Sequence, residues 1–129
     1  MEKELKTRTK KFALEVLKLV DVLPNKRSAN IVGNQLGRSA TSVAANYRAA
    51  CKGRFHADFI SKFGIVEEEA DESILWIELL DELGHVPANS MASLLKESSE
   101  LTAIFTASGR TAKTRHSFYA NKKDRKPNE

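Results

Sequence analysis

The sequence predicts an all-α protein: one antiparallel up-down-up-down four-helix bundle. Three observations predict it. Apolar residues return every three or four positions in four separate stretches, each stretch closes on a proline or glycine signal, and the connections between them are only a few residues long. Short connections force neighbouring helices to run antiparallel. No strand alternation or internal repeat competes.

The first stretch carries Leu5, Phe12, Val16, Leu19 and Leu23 on one stripe, which predicts a helix from about residue 4 to residue 23, ended by Pro24. Asn25 is the expected N-cap of a second helix running through Ile31, Leu36, Val43 and Tyr47 to about Gly53. This helix is rich in small residues, from Ser28 and Ala29 through Gly33, Gly37, Ser39 and Ala40 to Ala49 and Ala50. Small side chains let another helix backbone approach closely. Each internal glycine costs about 1 kcal/mol of helix propensity relative to alanine, so close packing is the expected compensation.

Phe59, Phe63, Val66, Ala70, Ile74, Ile77 and Leu80 predict a third helix over 56–83, with Gly84 at the C′ position. Its acids Glu67, Glu68, Asp71, Glu78, Asp81 and Glu82 fall outside that stripe and read as a solvated face. After Gly84-His85-Val86-Pro87, a fourth helix starts at Asn89 or Ser90, turns Met91, Leu94, Leu95, Leu101, Ile104 and Phe105 inward, and fades beyond Ser108-Gly109. The bundle is expected over residues 1–115, and residues 116–129 form a basic tail expected to be disordered.

At 129 residues, 41% hydrophobic and 29% charged, the chain suits a single domain with one core. No run reaches the roughly 18 apolar residues of a membrane span, and the N-terminus lacks the apolar centre of a signal peptide, so a cytoplasmic location without membrane contact is expected. Cys51 is the only cysteine, which excludes an intrachain disulfide and a multi-cysteine zinc site.

The net charge of +4 conceals three blocks. Residues 1–62 hold 13 Lys and Arg against 5 Asp and Glu, residues 63–109 hold 1 against 10, and residues 110–129 hold 7 against 2. Basic and acidic blocks can attract one another within a bundle or between subunits, and either arrangement can leave a basic surface for polyanions. The charge map alone does not choose.

The run Gln35-Leu36-Gly37-Arg38-Ser39-Ala40-Thr41-Ser42-Val43-Ala44-Ala45-Asn46-Tyr47-Arg48-Ala49-Ala50, then Ala57-Asp58-Phe59-Ile60-Ser61-Lys62, resembles the bacterial four helix bundle protein family, also known as the ribosomal RNA intervening-sequence proteins. The likeness continues through Glu68 to Ser73, Trp76 to Leu80 and Glu100 to Phe105, and so covers roughly residues 5–115. The resemblance implies a bundle that assembles into a homopentamer. It also relates the chain to the accessory variability proteins of diversity-generating retroelements, basic pentamers that bind nucleic acid and a reverse transcriptase. Two positions depart from the pattern: Phe55 and His56 stand where a Ser-Lys pair would open the third helix, and Gly109 stands where a larger residue would carry the fourth onward.

Arg38, Ser39, Ser42 and Asn46 share one side of the second helix, where Glu69 and Glu72 of the third can meet them. A buried Arg–carboxylate network that fixes helix register or a subunit contact is favoured over a ligand site. Candidate nucleic-acid contacts are Lys3, Lys6, Lys10, Lys11 and Lys18 on the first helix, Arg48, Lys52 and Arg54 at the end of the second, and Lys113 and Arg115 beyond the fourth stripe. Cations that neutralise phosphates release counterions and bind with little sequence preference. A solvated helix face is the ordinary alternative. No helix-turn-helix, zinc finger or RNA-recognition aromatic pair supports base readout.

No catalytic site, metal site or cofactor is expected. His56, His85 and His116 are far apart in sequence without metal-ligand spacing, and Gly33 and Gly37 lack the Gly-Lys-Ser/Thr ending of a phosphate loop. The expectation is therefore a non-enzymatic homo-oligomer that binds RNA, DNA or a nucleic-acid enzyme through basic surfaces. The alternative is a structural or protein-interaction oligomer with no nucleic-acid partner.

Overall fold

The computed structural model describes residues 1–53 and 56–124, and the backbone alone for 118–124. Four helices follow one another: α1 (Glu2–Asp21), α2 (Arg27–Cys51), α3 (His56–Leu83) and α4 (Ala88–Asp124). They form an all-α four-helix bundle, with α2–α3 the most extensive seam, then α3–α4 and α1–α2, and α1–α4 the slightest.

The stripes account for the core. Phe12, Val16, Leu36, Val43, Val66, Ile77, Leu80, Met91, Leu101 and Phe105 are buried in one cluster. Burying each such side chain is worth about 1.5–3 kcal/mol, which outweighs the propensity lost at the internal glycines. Gly33 shows why α2 is small on this side: a Cβ there would lie 2.9 Å from Leu23 Cδ1 of the segment that follows α1. Ile31 is a correction, being 59% exposed. Val32, Leu36, Ser39 and Val43 step by four, three and four along the buried side, and Ile31 sits one residue, about 100°, off that line.

The helix ends also differ in detail. Asn25 does not cap α2. Its side-chain carbonyl accepts from the Asn30 amide at 3.0 Å, and extended Lys26 takes the N-cap position without a side-chain cap bond. Gly84 does adopt the left-handed conformation, φ +73°, that a C′ residue requires.

The larger correction concerns α4, which continues through Gly109 to Asp124 instead of fading. Its buried line runs Leu101, Phe105, Gly109 and Ala112, so the stripe persists in small residues where bulky ones stop. Gly109 is a contact point: a Cβ there would lie 3.4 Å from Phe63 Cδ1 and 3.1 Å from Glu67 Oε2 of α3. Residues 116–124 of the expected disordered tail are thus helical, and residues 125–129 lie outside those described.

Candidate nucleic-acid interface

Lys3, Lys10, Lys11 and Lys18 are exposed along the outer side of α1. The ion pairs among the described residues involve Lys6, Arg8 and Arg38 and none of these four lysines. Lys6 instead meets Glu2 at 3.1 Å, one helical turn away. Arg48, Lys52, Lys113 and Arg115 are also exposed. Arg54 lies outside the described residues.

The fold distributes these cations over two ends. Because α1 and α2 are antiparallel, the start of α1 meets the end of α2, and Met1, Glu2 and Leu5 line one cavity of about 500 Å³ with Tyr47, Cys51, Gly53 and His56. Lys3, Lys6, Arg48 and Lys52 therefore belong to this end. At the other end Lys11 and Lys18 border a cleft of about 670 Å³ between α1 and the start of α4, floored by Phe12, Leu19, Val22 and Leu94. Glu15 and Glu97 share that rim. Lys113 stands apart, in a hollow with Glu67, Glu68 and Asp71.

The polar set on α2 and α3 divides into three rather than forming one buried network. Arg38 donates to both oxygens of Glu69 at 3.1 and 3.0 Å and to Glu72 at 2.8 Å, and these hydrogen bonds, with Glu72 foremost, hold its guanidinium even more firmly protonated. Its side chain is nevertheless 48% exposed, which corrects the expectation of a buried charge. The long arginine stem lets the head reach the carboxylates at the bundle surface. Ser39 pairs with Ser73 across the core at 2.9 Å. Asn46 donates to Ser42, to its carbonyl at 3.0 Å and its hydroxyl at 2.9 Å.

Other features escape the sequence. Arg8 ties α1 to α4 through Glu97 and, at 3.1 Å, Glu100. His56 and His116, sixty positions apart in the sequence, bring their rings to a centroid distance of 5.4 Å. Following the α4 stripe from Phe105 through Gly109 and Ala112 by threes and fours reaches His116, and that is the signal by which the sequence could reveal it. Burial pushes the Cys51 thiol up, with a Tyr47 hydrogen bond opposing, so it is no ready nucleophile. Among the described residues no three His, Cys, Asp or Glu side chains gather to share a metal ion, and no helix is long and apolar enough to cross a membrane.

The 23S rRNA-intervening sequence protein family matches residues 2–107. The chain belongs to this family. The family's description names no reaction. A solved structure from Bacteroides thetaiotaomicron, a protein of unknown function from the S23 ribosomal protein family, is similar to this intervening-sequence protein at 28% identity and a TM-score of 0.77. The match covers 84% of this chain and 97% of that one. No curated protein matches. Within the intervening-sequence fold, the match stops just before Gly109, so the later part of α4, with Lys113 and Arg115, lies beyond the family's shared segment.

Proposed function

We propose that this intervening-sequence family protein is a non-enzymatic, cytoplasmic binding protein, working as a homo-oligomer that holds nucleic acid, or an enzyme of nucleic acid such as a reverse transcriptase, through its basic surfaces. One observation carries the reading: Lys3, Lys10, Lys11 and Lys18 are exposed on one helix, and no carboxylate among the described residues is in an ion pair with them. A nucleic acid holds condensed counterions along its phosphates, and lysines that neutralise those phosphates release them with a gain in entropy. Such contacts follow the backbone and leave base sequence largely unread.

Each contact is weak, and repetition around a ring multiplies it. The exposed leucines fit a ring. Leu14 and Leu17 stand on basic α1, while Leu75 and Leu83 stand on acidic α3. Two different patches of opposite charge suit a head-to-tail contact, which closes into a cyclic oligomer when the rotation allows. The family resemblance sets the expected number at five. The same complementarity favours the second reading, a structural oligomer with no nucleic-acid partner.

Electrophoretic mobility shift with structured RNA and duplex DNA at low salt separates the two. Retarded complexes that dissolve as salt rises, while the oligomer keeps its mass, support the binding reading. An oligomer that falls apart with salt and retards neither nucleic acid supports the structural one.

A further inference from the structure

Four rings climb out of the core at the end of the bundle where α3 begins. Phe63 is 3% exposed and stacks on Phe59 at 5.0 Å and 28°. Phe59 continues to His56 at 6.3 Å and 19°, and His56 to His116 at 5.4 Å and 27°. The inner rung is core, whereas His56 is open to solvent and Phe59 and His116 are half-buried. Packing alone explains Phe63; it does not explain aligned rings that continue to the surface.

A hollow of about 360 Å³ lies against the outer rungs, bordered by His56, Phe59, Ser108, Thr111 and Arg115, with no carboxylate among the described residues that line it. The His56 ring is held in place, because its Nε2 lies 3.1 Å from the Ala112 carbonyl. A carbonyl only accepts, so that bond places a proton on Nε2. Thr111 spends its hydroxyl proton on the Ala107 carbonyl at 3.0 Å and retains acceptor capacity. Arg115 supplies a positive charge at the edge of the hollow, and exposed Lys52 ends α2 next to Gly53, which lines the adjoining cavity with His56 and Phe59.

We propose that this ring ladder is a stacking platform for an unpaired nucleobase of a single-stranded nucleic acid, with Arg115 on the adjacent phosphate. The proposal rests on the nucleic-acid reading above and adds a strand preference to it. Every base has a π-face, so stacking is sequence-tolerant and adds to phosphate contacts without base readout. An aromatic side chain of a peptide would use the same rings but bring no phosphate to Arg115. In a duplex the bases are stacked internally and cannot reach the ladder.

The test is fluorescence anisotropy at fixed low salt with four probes of one length: a single-stranded RNA, the matching single-stranded DNA, the duplex, and an abasic strand with the same phosphates. The wild-type protein should favour both single strands over the abasic strand. His56→Ala should weaken single-strand binding about tenfold, within the range for losing one stacked base, and leave abasic and duplex binding unchanged. His56→Tyr, which keeps a stacking face, should restore it. His116→Ala gives a second reading, and the circular dichroism melt of each variant shows that the bundle is intact. A loss that is equal on all four probes, or no loss in either alanine variant, overturns the platform and leaves the phosphate-binding reading standing. Wild-type protein that binds none of the probes overturns both.

Discussion

Ser39 and Ser73 are wholly buried and meet between α2 and α3. The Ser73 hydroxyl also lies 2.8 Å from the Glu69 carbonyl and the Ser39 hydroxyl 3.2 Å from the Leu36 carbonyl, so two protons serve three contacts. Ser39→Ala and Ser73→Ala should each lower unfolding stability by about 1 kcal/mol, the net worth of one internal hydrogen bond, measured by urea denaturation. Because both changes delete the same bond, the double variant should cost less than the two single costs combined. Additive losses would mean that the serines act separately. Arg38 belongs to a different regime. Half-exposed and forked over Glu69 and Glu72, it shares its charge with solvent, and its coupling to Glu69 in a double-variant cycle should be small and should shrink as salt is added.

At the scale of elements, the two glycines most sharply defined by the fold respond in opposite ways. Gly84 holds φ +73°, so Gly84→Ala should destabilise by about 1 kcal/mol even though a Cβ there meets nothing within 4 Å. Gly109 is helical, and the nearest atom to its added Cβ is the movable end of Glu67. Gly109→Ala should therefore be neutral or raise stability by up to about 1 kcal/mol of helix propensity. Gly109→Leu should cost about 1–3 kcal/mol, because Phe63 leaves no room for a branched side chain. Thermal denaturation of the three variants checks the order.

The same glycine marks the limit of sequence reasoning. Spacings of three and four locate all four helices, and the C-terminal end of α3 is legible to the residue because Gly84 and the apolar run agree. Where the stripe passes into Gly109 and Ala112, burial without bulk leaves no apolar signal, and the periodicity alone ends α4 about four turns short. Ile31 misleads because the buried side of α2 is made largely of small residues, so the large ones do not reveal its direction. The lysines of the candidate interface are visible as charges. Their freedom from partners is not, since Lys6 and Lys11 each have an acid four residues away, Glu2 and Glu15, and only geometry shows that the first pair forms while no ion pair joins the second.

At the scale of the molecule, basic α1 and acidic α3 lie diagonally in the bundle and share no helix–helix seam, and each carries exposed leucines. In the proposed ring these are the two halves of a head-to-tail contact. Light scattering should return a mass several times the 14.4 kDa of the chain. Leu17→Glu on α1 should lower it, and so should Leu75→Lys on α3, since each puts a charge into an apolar contact and repels the acids or lysines it meets there. A monomer in the wild type would remove the ring and the avidity that depends on it.

The most direct measurement is the affinity for a structured RNA followed across salt concentration, for the wild type and for the triple variant Lys10→Glu, Lys11→Glu, Lys18→Glu. If the lysines of α1 hold phosphates, the logarithm of the wild-type binding constant falls linearly with the logarithm of salt, and the variant binds much more weakly with a shallower slope. Binding that is absent in the wild type, or identical in slope and strength in the variant, would contradict a phosphate-binding role for α1.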